Sequence, residues 1–487
     1  MLRRLALAAA LAACLPFAHA ALPAPVAAAL AANGLPEDAL GVIVIRGNTI
    51  VLEQNAARPM RPASVMKTVT TMVGLDRLGP AFRGRTELLS NAAVVGGTLQ
   101  GDLVLRGGAD VDLTTATLER MLHDLRSQGI RRIAGNVMVD RSLFTPARLD
   151  IGVPPFDESP EAYYNVIPDA AIINRNMLDI DMRSTDKRIT FSVWPELDRV
   201  AVTSDMTLID GDCAKWEDGW KQPEYKRDGS GRLKIVLHGT FPKNCARSNS
   251  INVLDRQDYT ARLFRALWKR QGGQLKGEVV DGVAPADARL LAEHVSRPLP
   301  EIVRDVNKPS DNEIARTIFL ALGSLQFDEK LGSKPLPVDG VGSTLVRADA
   351  TVRAWMHEHG ISDDGLVLEN GSGLSRIERV SPQQLAGVLQ AALKSNWAPE
   401  FVTSLPIAAV DGTMRRRLKD SPAASHARVK TGTLRDTIAN AGYVPDANGE
   451  VCIVAAILND DHVGNGKGRA VLDALLDWVA RSSAAGQ

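Results

Sequence analysis

Strand-like runs lie at both ends of this 487-residue chain, and they constrain its fold more than any other feature. Near the amino end, two β-branched runs flank Gly47-Asn48, which indicates a hairpin over residues 41–53. Near the carboxyl end, three strand-like runs and a final helix cover residues 427–433, 440–444, 451–458 and 468–481. These five strands would complete one antiparallel sheet whose faces are covered by the first and last helices. The long middle of the chain is then an insertion into one α+β domain.

A second feature is the segment of residues 61–75, which predicts a buried helix that begins near Ser64. Pro62 cannot lie inside a helix, and the apolar residues after it recur at helical spacing. Ser64 then lies in the first turn, and Lys67 is on the same face of the helix. A hydroxyl needs a nearby base to act as a nucleophile, and a helix amino terminus favours negative charge beside it. Ser64 and Lys67 are therefore a candidate nucleophile and base.

The pattern S-x-x-K is weak by itself, because an isolated match is more often a helix cap followed by a solvated lysine. The chain contains a second match, Ser184 to Lys187, in a polar turn between strand-like runs. No helical face brings that second pair together. The sequence context therefore favours residues 64–67.

The middle of the chain predicts two inserted blocks. Residues 85–165 show short strands with glycine turns around one helix, and residues 166–255 look all-β without obvious chemistry. A helix over residues 258–271 then leads back, and residues 256–297 are assigned to the first block. The main domain would consist of residues 21–84 and 298–487. Helical patterns in its second part cover residues 299–306, 312–322, 343–359 and 381–394.

The first twenty residues predict an export signal. Arg3 and Arg4 precede an apolar run, and Ala18-His19-Ala20 has the small-residue pattern of a cleavage site. An alternative with less weight is a bacterial lipoprotein box with Cys14 as the lipidated residue. No later stretch reaches the ~18 apolar residues of a spanning helix. We expect a periplasmic protein, soluble or tethered by lipid at Cys14.

Charge and cysteine content narrow the possible partners. Lys plus Arg and Asp plus Glu are each 57, so the formal net charge is 0 and nothing indicates a nucleic-acid partner. Cys213 and Cys245 could form a disulfide in an oxidising compartment, whereas Cys452 lies in an apolar run and is expected to be a packing residue. Residues 357–359, His-Glu-His, come nearest to a zinc pattern but predict a solvated helical face. The sequence predicts neither a metal nor a cofactor.

Two further short motifs lie in the carboxyl half. Ser310-Asp311-Asn312 falls between two predicted helices, and Lys430-Thr431-Gly432 falls on a predicted strand. Each is weak alone, since residues 250–252 form a second S-x-N and many K-T-G triplets end a strand. Together with residues 64–67, each in the structural context that the chemistry needs, they form the signature set of penicillin-recognising serine acyl-transferases.

The chain resembles the D-alanyl-D-alanine carboxypeptidase and endopeptidase family of low-molecular-mass penicillin-binding proteins, in the branch with large insertions after the first motif. Ser64 and Ser310 are 246 residues apart, and class A β-lactamases, which share the motifs, lack such an insertion. The resemblance covers essentially the whole mature chain and includes residues 164–174, 370–376 and 411–414. It implies a transpeptidase-like domain, formed by an antiparallel sheet with flanking helices and a helical subdomain, and two inserted mainly-β domains.

The resemblance also implies roles for the motif residues. Ser64 would attack the carbonyl between two D-alanines and form an acyl-enzyme. Lys67 would take the proton, with its pKa lowered by burial and by a positive Lys430. Ser310 would relay a proton towards the leaving amine, while Asn312 holds Lys67 and the substrate. The oxyanion would lie between the backbone N–H groups of Ser64 and Thr433. The substrate-binding residues of the strand would be Lys430, Thr431, Gly432 and Thr433.

These implications predict a serine D,D-peptidase. Its substrates would be peptidoglycan stem peptides ending in D-Ala-D-Ala or D,D-crosslinks, and β-lactams would inhibit it covalently. One alternative is a β-lactamase or esterase on the same scaffold. Another is a penicillin sensor or wall-binding protein with a vestigial site, and the three intact motifs argue against it. The sequence leaves open the preference between carboxypeptidase and endopeptidase activity, and also the deacylation base.

Overall fold

The computed structural model describes residues 21–337 and 342–483. The predicted export signal, residues 1–20, and the alternative lipid site at Cys14 lie outside these residues. Within the described ranges, none of the helices combines the length and the apolar character needed to cross a membrane.

The first segment supplies one helix, one hairpin and the helix of the first motif. Its elements are α1 (Ala24–Asn33), β1 (Leu40–Arg46), β2 (Thr49–Gln54) and α2 (Met66–Leu78). Gly47 has a φ of +55°, which the tight turn between β1 and β2 requires. A 3₁₀ turn, Ala63–Val65, leads directly into α2. The buried helix therefore begins near Ser64, as predicted, with a tightened first turn.

The insertion follows α2 and contains short strands with two helices. Its first part consists of β3 (Arg85–Ser90), β4 (Val94–Val95), β5 (Thr98–Leu99), β6 (Leu103–Gly108), α3 (Thr115–Ser127), β7 (Arg132–Ile133) and β8 (Val137–Asp140). Its central part consists of β9 (Leu178–Ser184), β10 (Ile189–Trp194), β11 (Val200–Ser204), β12 (Thr207–Ile209), β13 (Trp220–Arg227), β14 (Leu233–Pro242) and β15 (Ala246–Ile251). Its return part consists of α4 (Arg256–Arg270), β16 (Gln274–Leu275), β17 (Val279–Asp281) and β18 (Arg289–Val295).

Strand pairing groups these parts. Strands of the first and return parts form two sheets, with orders β16-β7-β5-β4 and β17-β8-β6-β3-β18. Strands β9 to β15 form two others, and one apolar core extends through both groups. Cys213 and Cys245 are joined by a disulfide in the second group. The exact limits of the inserted domains, residues 85–165 with 256–297 and residues 166–255, stay a prediction.

The last segment returns to the main domain. Its elements are α5 (Leu299–Asn307), α6 (Asn312–Leu322), β19 (Leu325–Asp328), β20 (Gly332–Pro335), α7 (Thr344–Glu358), α8 (Pro382–Lys394), α9 (Ala398–Ser404), β21 (Arg428–Leu434), β22 (Thr437–Pro445), β23 (Val451–Asn459) and α10 (Lys467–Arg481). The four predicted helices and three predicted strands are confirmed within a few residues. The sequence analysis did not predict α9 or the β19–β20 hairpin, because both are short and neither has a clear apolar period.

The two ends of the chain form one five-stranded antiparallel sheet with the order β2-β1-β23-β22-β21. Side chains of β1 alternate between its faces, as the pleat of a strand requires. Ile43 and Ile45 belong to the core shared with α2 and α5 to α8, whereas Val42 and Val44 belong to the core shared with α1 and α10. Cys452 is buried in β23, as expected of a packing residue. The strand β21 is left at one edge of the sheet.

Candidate active site

Ser64 lies in the 3₁₀ turn between Pro62 and α2, and it is half-buried. The amine of Lys67, one helical turn on, is 2.9 Å from Ser64 Oγ. This contact is local, because residues three apart share a helix face. The predicted pair is therefore brought together by the start of the helix alone.

The Lys67 amine is fully buried, and its surroundings come from distant parts of the chain. It donates to Asn312 Oδ1 at 2.6 Å and to the backbone oxygen of Ser372 at 2.6 Å. Burial lowers the pKa of Lys67 to about 7, the nearby carboxylates of Asp311 and Glu378 oppose this shift, and Arg316 adds to it. A lysine with such a pKa is partly neutral at neutral pH, as a general base must be.

One expectation about this pKa is wrong. We expected a positive Lys430 to lower the pKa of Lys67, but burial, followed by the charge of Lys67, lowers the pKa of Lys430 itself well below its usual range. A fully buried ammonium has lost its hydration, so the charged form is disfavoured at both lysines. The cation that helps to lower the pKa of Lys67 is Arg316.

Ser310 stands between α5 and α6 with a φ of +69°, a left-handed conformation that is uncommon for serine. Its hydroxyl accepts a hydrogen bond from Lys430 Nζ at 2.8 Å. Asp311 caps α6 by accepting from the N–H of Ile314 at 3.0 Å. The cap fixes where α6 begins, and Asn312, its first residue, thereby reaches Lys67. The S-D-N segment therefore contacts both lysines of the site.

The K-T-G residues lie on β21, the edge strand that runs past the Ser64 turn. Lys430 is fully buried and also donates to the backbone oxygen of Thr431 at 2.7 Å. Gly432 packs tightly against the Ser64 turn. A Cβ at this position would lie 2.8 Å from the backbone oxygen of Pro62 and 3.0 Å from the backbone nitrogen of Ser64. Glycine therefore lets the strand approach the nucleophile candidate. Thr433 is exposed next to this contact.

Sequence reasoning missed the contribution of the loop from Asn370 to Arg376. The resemblance includes this loop, but no role in the site was predicted for it, and it supplies the Ser372 oxygen that accepts from Lys67. Gly373 has a φ of +77°, and a Cβ there would lie 1.8 Å from the oxygen of Ala63, so the loop packs directly behind the Ser64 turn. The glycine pattern pointed to a tight turn but not to this contact.

Glu378 holds that loop in place and was also missed. Its carboxylate is fully buried and accepts hydrogen bonds at 2.8 to 3.2 Å from four backbone N–H groups, those of Glu369, Asn370, Gly371 and Gly373. Burial raises the pKa of Glu378, and the four donors oppose that shift. No local sequence signal marks a glutamate that binds backbone from inside the fold.

The residues of the second S-x-x-K match do not form a site. Residues 357–359 do not form a metal site either: His357 is exposed and 2.8 Å from Asp363, and His359 stacks on Trp355. Within residues 21–337 and 342–483, no group of three or more His, Cys, Asp or Glu side chains is arranged so that it could hold a metal ion.

A protein-family model described as the D-Ala-D-Ala carboxypeptidase 3 (S13) family matches residues 22–482. The chain belongs to this family. This confirms the predicted serine-type D-Ala-D-Ala peptidase activity and its family. Membership agrees with the meeting of the three motifs around Ser64.

Similar proteins support the assignment of this S13 chain. The D-alanyl-D-alanine carboxypeptidase DacB of Haemophilus influenzae is 27% identical over 434 residues, which are 86% of this chain and 85% of that protein. The crystal structure of penicillin binding protein 4 (dacB) from Haemophilus influenzae is similar with a TM-score of 0.76 at 25% identity, covering 94% of this chain and 99% of that chain. The same protein complexed with a β-lactam is similar with a TM-score of 0.70 at 26% identity, covering 93% and 97%. The predicted α+β penicillin-binding-protein fold is therefore confirmed.

Proposed function

We propose that this S13 peptidase acts on peptidoglycan, cleaving stem peptides that end in D-Ala-D-Ala or D,D-crosslinks through an acyl-enzyme on Ser64. The observation that carries the proposal is the position of the Lys67 amine. It is buried, has a lowered pKa, and lies 2.9 Å from the Ser64 hydroxyl. A hydroxyl so placed beside a partly neutral amine can lose its proton as it attacks a carbonyl carbon.

In the acylation step, Ser64 Oγ forms a bond to the scissile carbonyl carbon and its proton passes to Lys67. Asn312 and the Ser372 oxygen hold the amine in position for that transfer. The C–N bond then breaks. The proton that Lys67 took is relayed to the leaving amine through the hydroxyl of Ser310, which returns Lys67 to its neutral form. Lys430 lies 2.8 Å from that hydroxyl and orients it. Water later hydrolyses the ester and releases Ser64.

The substrate would lie along the edge of β21. The backbone N–H groups of Ser64 and Thr433 would stabilise the oxyanion, and close packing at Gly432 supports this because it brings the strand against the Ser64 turn. Lys430, Thr431 and Thr433 would bind the carboxylate of the leaving residue. An edge strand has free backbone groups with which an extended peptide can pair.

Export to the periplasm is part of the proposal, because residues 1–20 have the pattern of a signal peptide and the proposed substrate lies outside the cytoplasm. The disulfide between Cys213 and Cys245 supports an oxidising compartment. Covalent inhibition by β-lactams is also proposed, since a β-lactam ring presents an acylating carbonyl to the same nucleophile. A similar solved structure contains a β-lactam.

The test is acylation and turnover by the purified mature chain. Intact-mass measurement after incubation with penicillin is expected to show a stable adduct on Ser64, and a synthetic pentapeptide is expected to release D-alanine. Survival of D-alanine release in Ser64→Ala would refute the nucleophile assignment. Rapid hydrolysis of a chromogenic cephalosporin, without a lasting adduct, would indicate a β-lactamase instead.

A further inference from the structure

A cavity of about 390 Å³ borders the strand of the proposed site that carries the K-T-G residues. It is lined on the sheet by Thr431, Gly432 and Thr433 of β21, the residues next to Lys430. What distinguishes it is its arginine content, since its lining also includes Arg415, Arg416, Arg417 and Arg469. We call it the arginine cavity.

The positive charge of this cavity is largely uncompensated. Arg417 is buried and is neutralised by Asp473, whose Oδ1 lies 2.6 and 2.9 Å from two guanidinium nitrogens. Arg415, Arg416 and Arg469 are exposed, and within the described part of the chain none of the three has a carboxylate at ion-pair distance. No acidic residue contributes to the lining. Three guanidinium groups are therefore available to an anionic ligand.

The turn that carries these arginines is fixed to the proposed site from two sides. Asp411 pairs with Lys308 at 2.7 Å, and the N–H of Thr413 donates to the backbone oxygen of Lys308 at 3.1 Å. Lys308 precedes Ser310 by two residues, so the turn is tied to the S-D-N segment. The hydroxyl of Thr431 donates to Thr413 Oγ1 at 2.8 Å, which ties the turn to β21 as well.

The position of the arginine cavity relates it to the leaving group. The proposed function puts the leaving amine at Ser310 and its carboxylate at Thr431 and Thr433, and the cavity begins at those two threonines. The loop of residues 370–376 does not line this cavity, and its residues Asn370 and Arg376 line a different one. The arginine cavity is therefore placed to receive whatever is attached to the leaving residue.

The two candidate reactions differ in that attachment. When a pentapeptide is trimmed, the leaving group is one D-alanine, much smaller than a cavity of a size that usually holds a drug-sized ligand. When a D,D-crosslink is cut, the leaving group is a second stem peptide, which carries further carboxylates. Arginine is the side chain best suited to bind carboxylates, because its planar fork donates two parallel hydrogen bonds.

We propose that the arginine cavity binds the acidic peptide released when a D,D-crosslink is cut, and that it gives this chain a preference for crosslinked dimers over pentapeptides. This inference rests on the proposed function, since it uses the same nucleophile and the same amide cleavage. The arginines touch neither the scissile bond nor Ser64. They act on the affinity for the leaving peptide.

The experiment compares two substrates with the full mature chain. The value of kcat/KM is measured for a purified muropeptide dimer joined by a D,D-crosslink and for the pentapeptide monomer. The variant is Arg415→Gln/Arg416→Gln/Arg469→Gln, and the matched control is Arg131→Gln, another exposed arginine, in the insertion. A third substrate is the same dimer in which the carboxylates of the stem peptide that leaves are amidated. This change removes the negative charge that the arginines would bind. Labelling by fluorescent penicillin verifies that each variant is folded.

The expected result is that the ratio of kcat/KM for dimer to that for pentapeptide falls about tenfold in the triple variant, mainly through a higher KM. The control keeps the wild-type ratio, and the amidated dimer loses the wild-type preference. Higher salt lowers the ratio, because exposed charges are screened. An unchanged ratio in the triple variant overturns the inference.

Other outcomes separate this inference from the proposed function. A wild-type chain that trims pentapeptides but does not cut dimers overturns the inference and leaves the proposed function intact. A wild-type chain that cleaves neither substrate, or a Ser64→Ala variant that still cleaves them, refutes the proposed function itself.

Discussion

The chain contains the pattern S-x-x-K twice, and the two copies have opposite surroundings. Ser64 and Lys67 lie at the start of a buried helix with their polar atoms 2.9 Å apart. Ser184 ends β9, where its hydroxyl donates to the backbone oxygen of Pro242 at 2.6 Å, and Lys187 is exposed in the following turn. Burial lowers the pKa of Lys67 to about 7.

The comparison teaches that the backbone conformation decides what the pattern can do. A helical turn brings side chains three residues apart onto one face, whereas a β-turn sends them apart. Burial then changes the chemistry, because it makes a neutral lysine accessible near neutral pH. Substitutions in the two copies should therefore have very different effects.

The largest difference is expected between the two serines. Ser64→Ala should lower D-alanine release by about 10⁶-fold, to assay background, because the nucleophile is lost. Ser184→Ala should leave the rate within about twofold of the wild type, since it removes only hydrogen bonds to the backbone of Pro242 and Cys245 within the insertion. Discontinuous measurement of D-alanine from a pentapeptide checks both. Equal losses in the two variants would contradict the comparison.

The two lysines should differ next. Lys67→Met removes the proposed base while filling a similar volume, and the rate of acylation by a fluorescent penicillin should fall by about 10³-fold. Lys187→Met, in a solvated position, is the matched control and should acylate at the wild-type rate. Stopped-flow or gel-based labelling measures the rate directly. An acylation rate in Lys67→Met close to that of the wild type would exclude Lys67 as the base.

A smaller effect is expected when Glu378, which holds the loop next to Ser64 and Lys67, is substituted. Glu378→Gln replaces a carboxylate that accepts from four N–H groups, so the loop that supplies the Ser372 oxygen should loosen. We expect acylation to slow by about 10²-fold and the free energy of unfolding to fall by about 2 kcal/mol, since buried donors lose a partner. Glu358→Gln, at an exposed glutamate, is the control. The kinetics of penicillin labelling test the effect on acylation, and urea denaturation tests the effect on the free energy of unfolding.

The smallest effect concerns pH. Because Lys67 acts as a base only when neutral and its pKa is lowered to about 7, kcat/KM should fall about tenfold for each pH unit below 7 and level off above it. Arg316→Gln removes a positive charge that helps to lower the pKa of Lys67, so this pKa should rise. The pH below which kcat/KM falls should therefore be higher in this variant. Lys187→Met should leave the profile unchanged. A profile without any limb between pH 6 and 8 would contradict the assigned pKa.

Much of the fold followed from local patterns. Helix α2 and the helices α5 to α8 were predicted because their apolar residues recur at helical spacing, and Pro62 marks the start of the first. The pairing of the two chain ends in one sheet was also predicted. The hairpin β19–β20 and helix α9 were not, since short elements leave little periodicity to detect.

The sequence by itself determined that Ser64 and Lys67 meet, because their contact needs only one helical turn. The tertiary structure alone decided that the Ser372 oxygen holds the lysine, that Glu378 supports that loop, and that arginines collect beside β21. These residues are more than 240 positions from Ser64 along the chain. Contacts at such separations have no local signature, and the pKa of a lysine depends on the burial that only the folded chain creates.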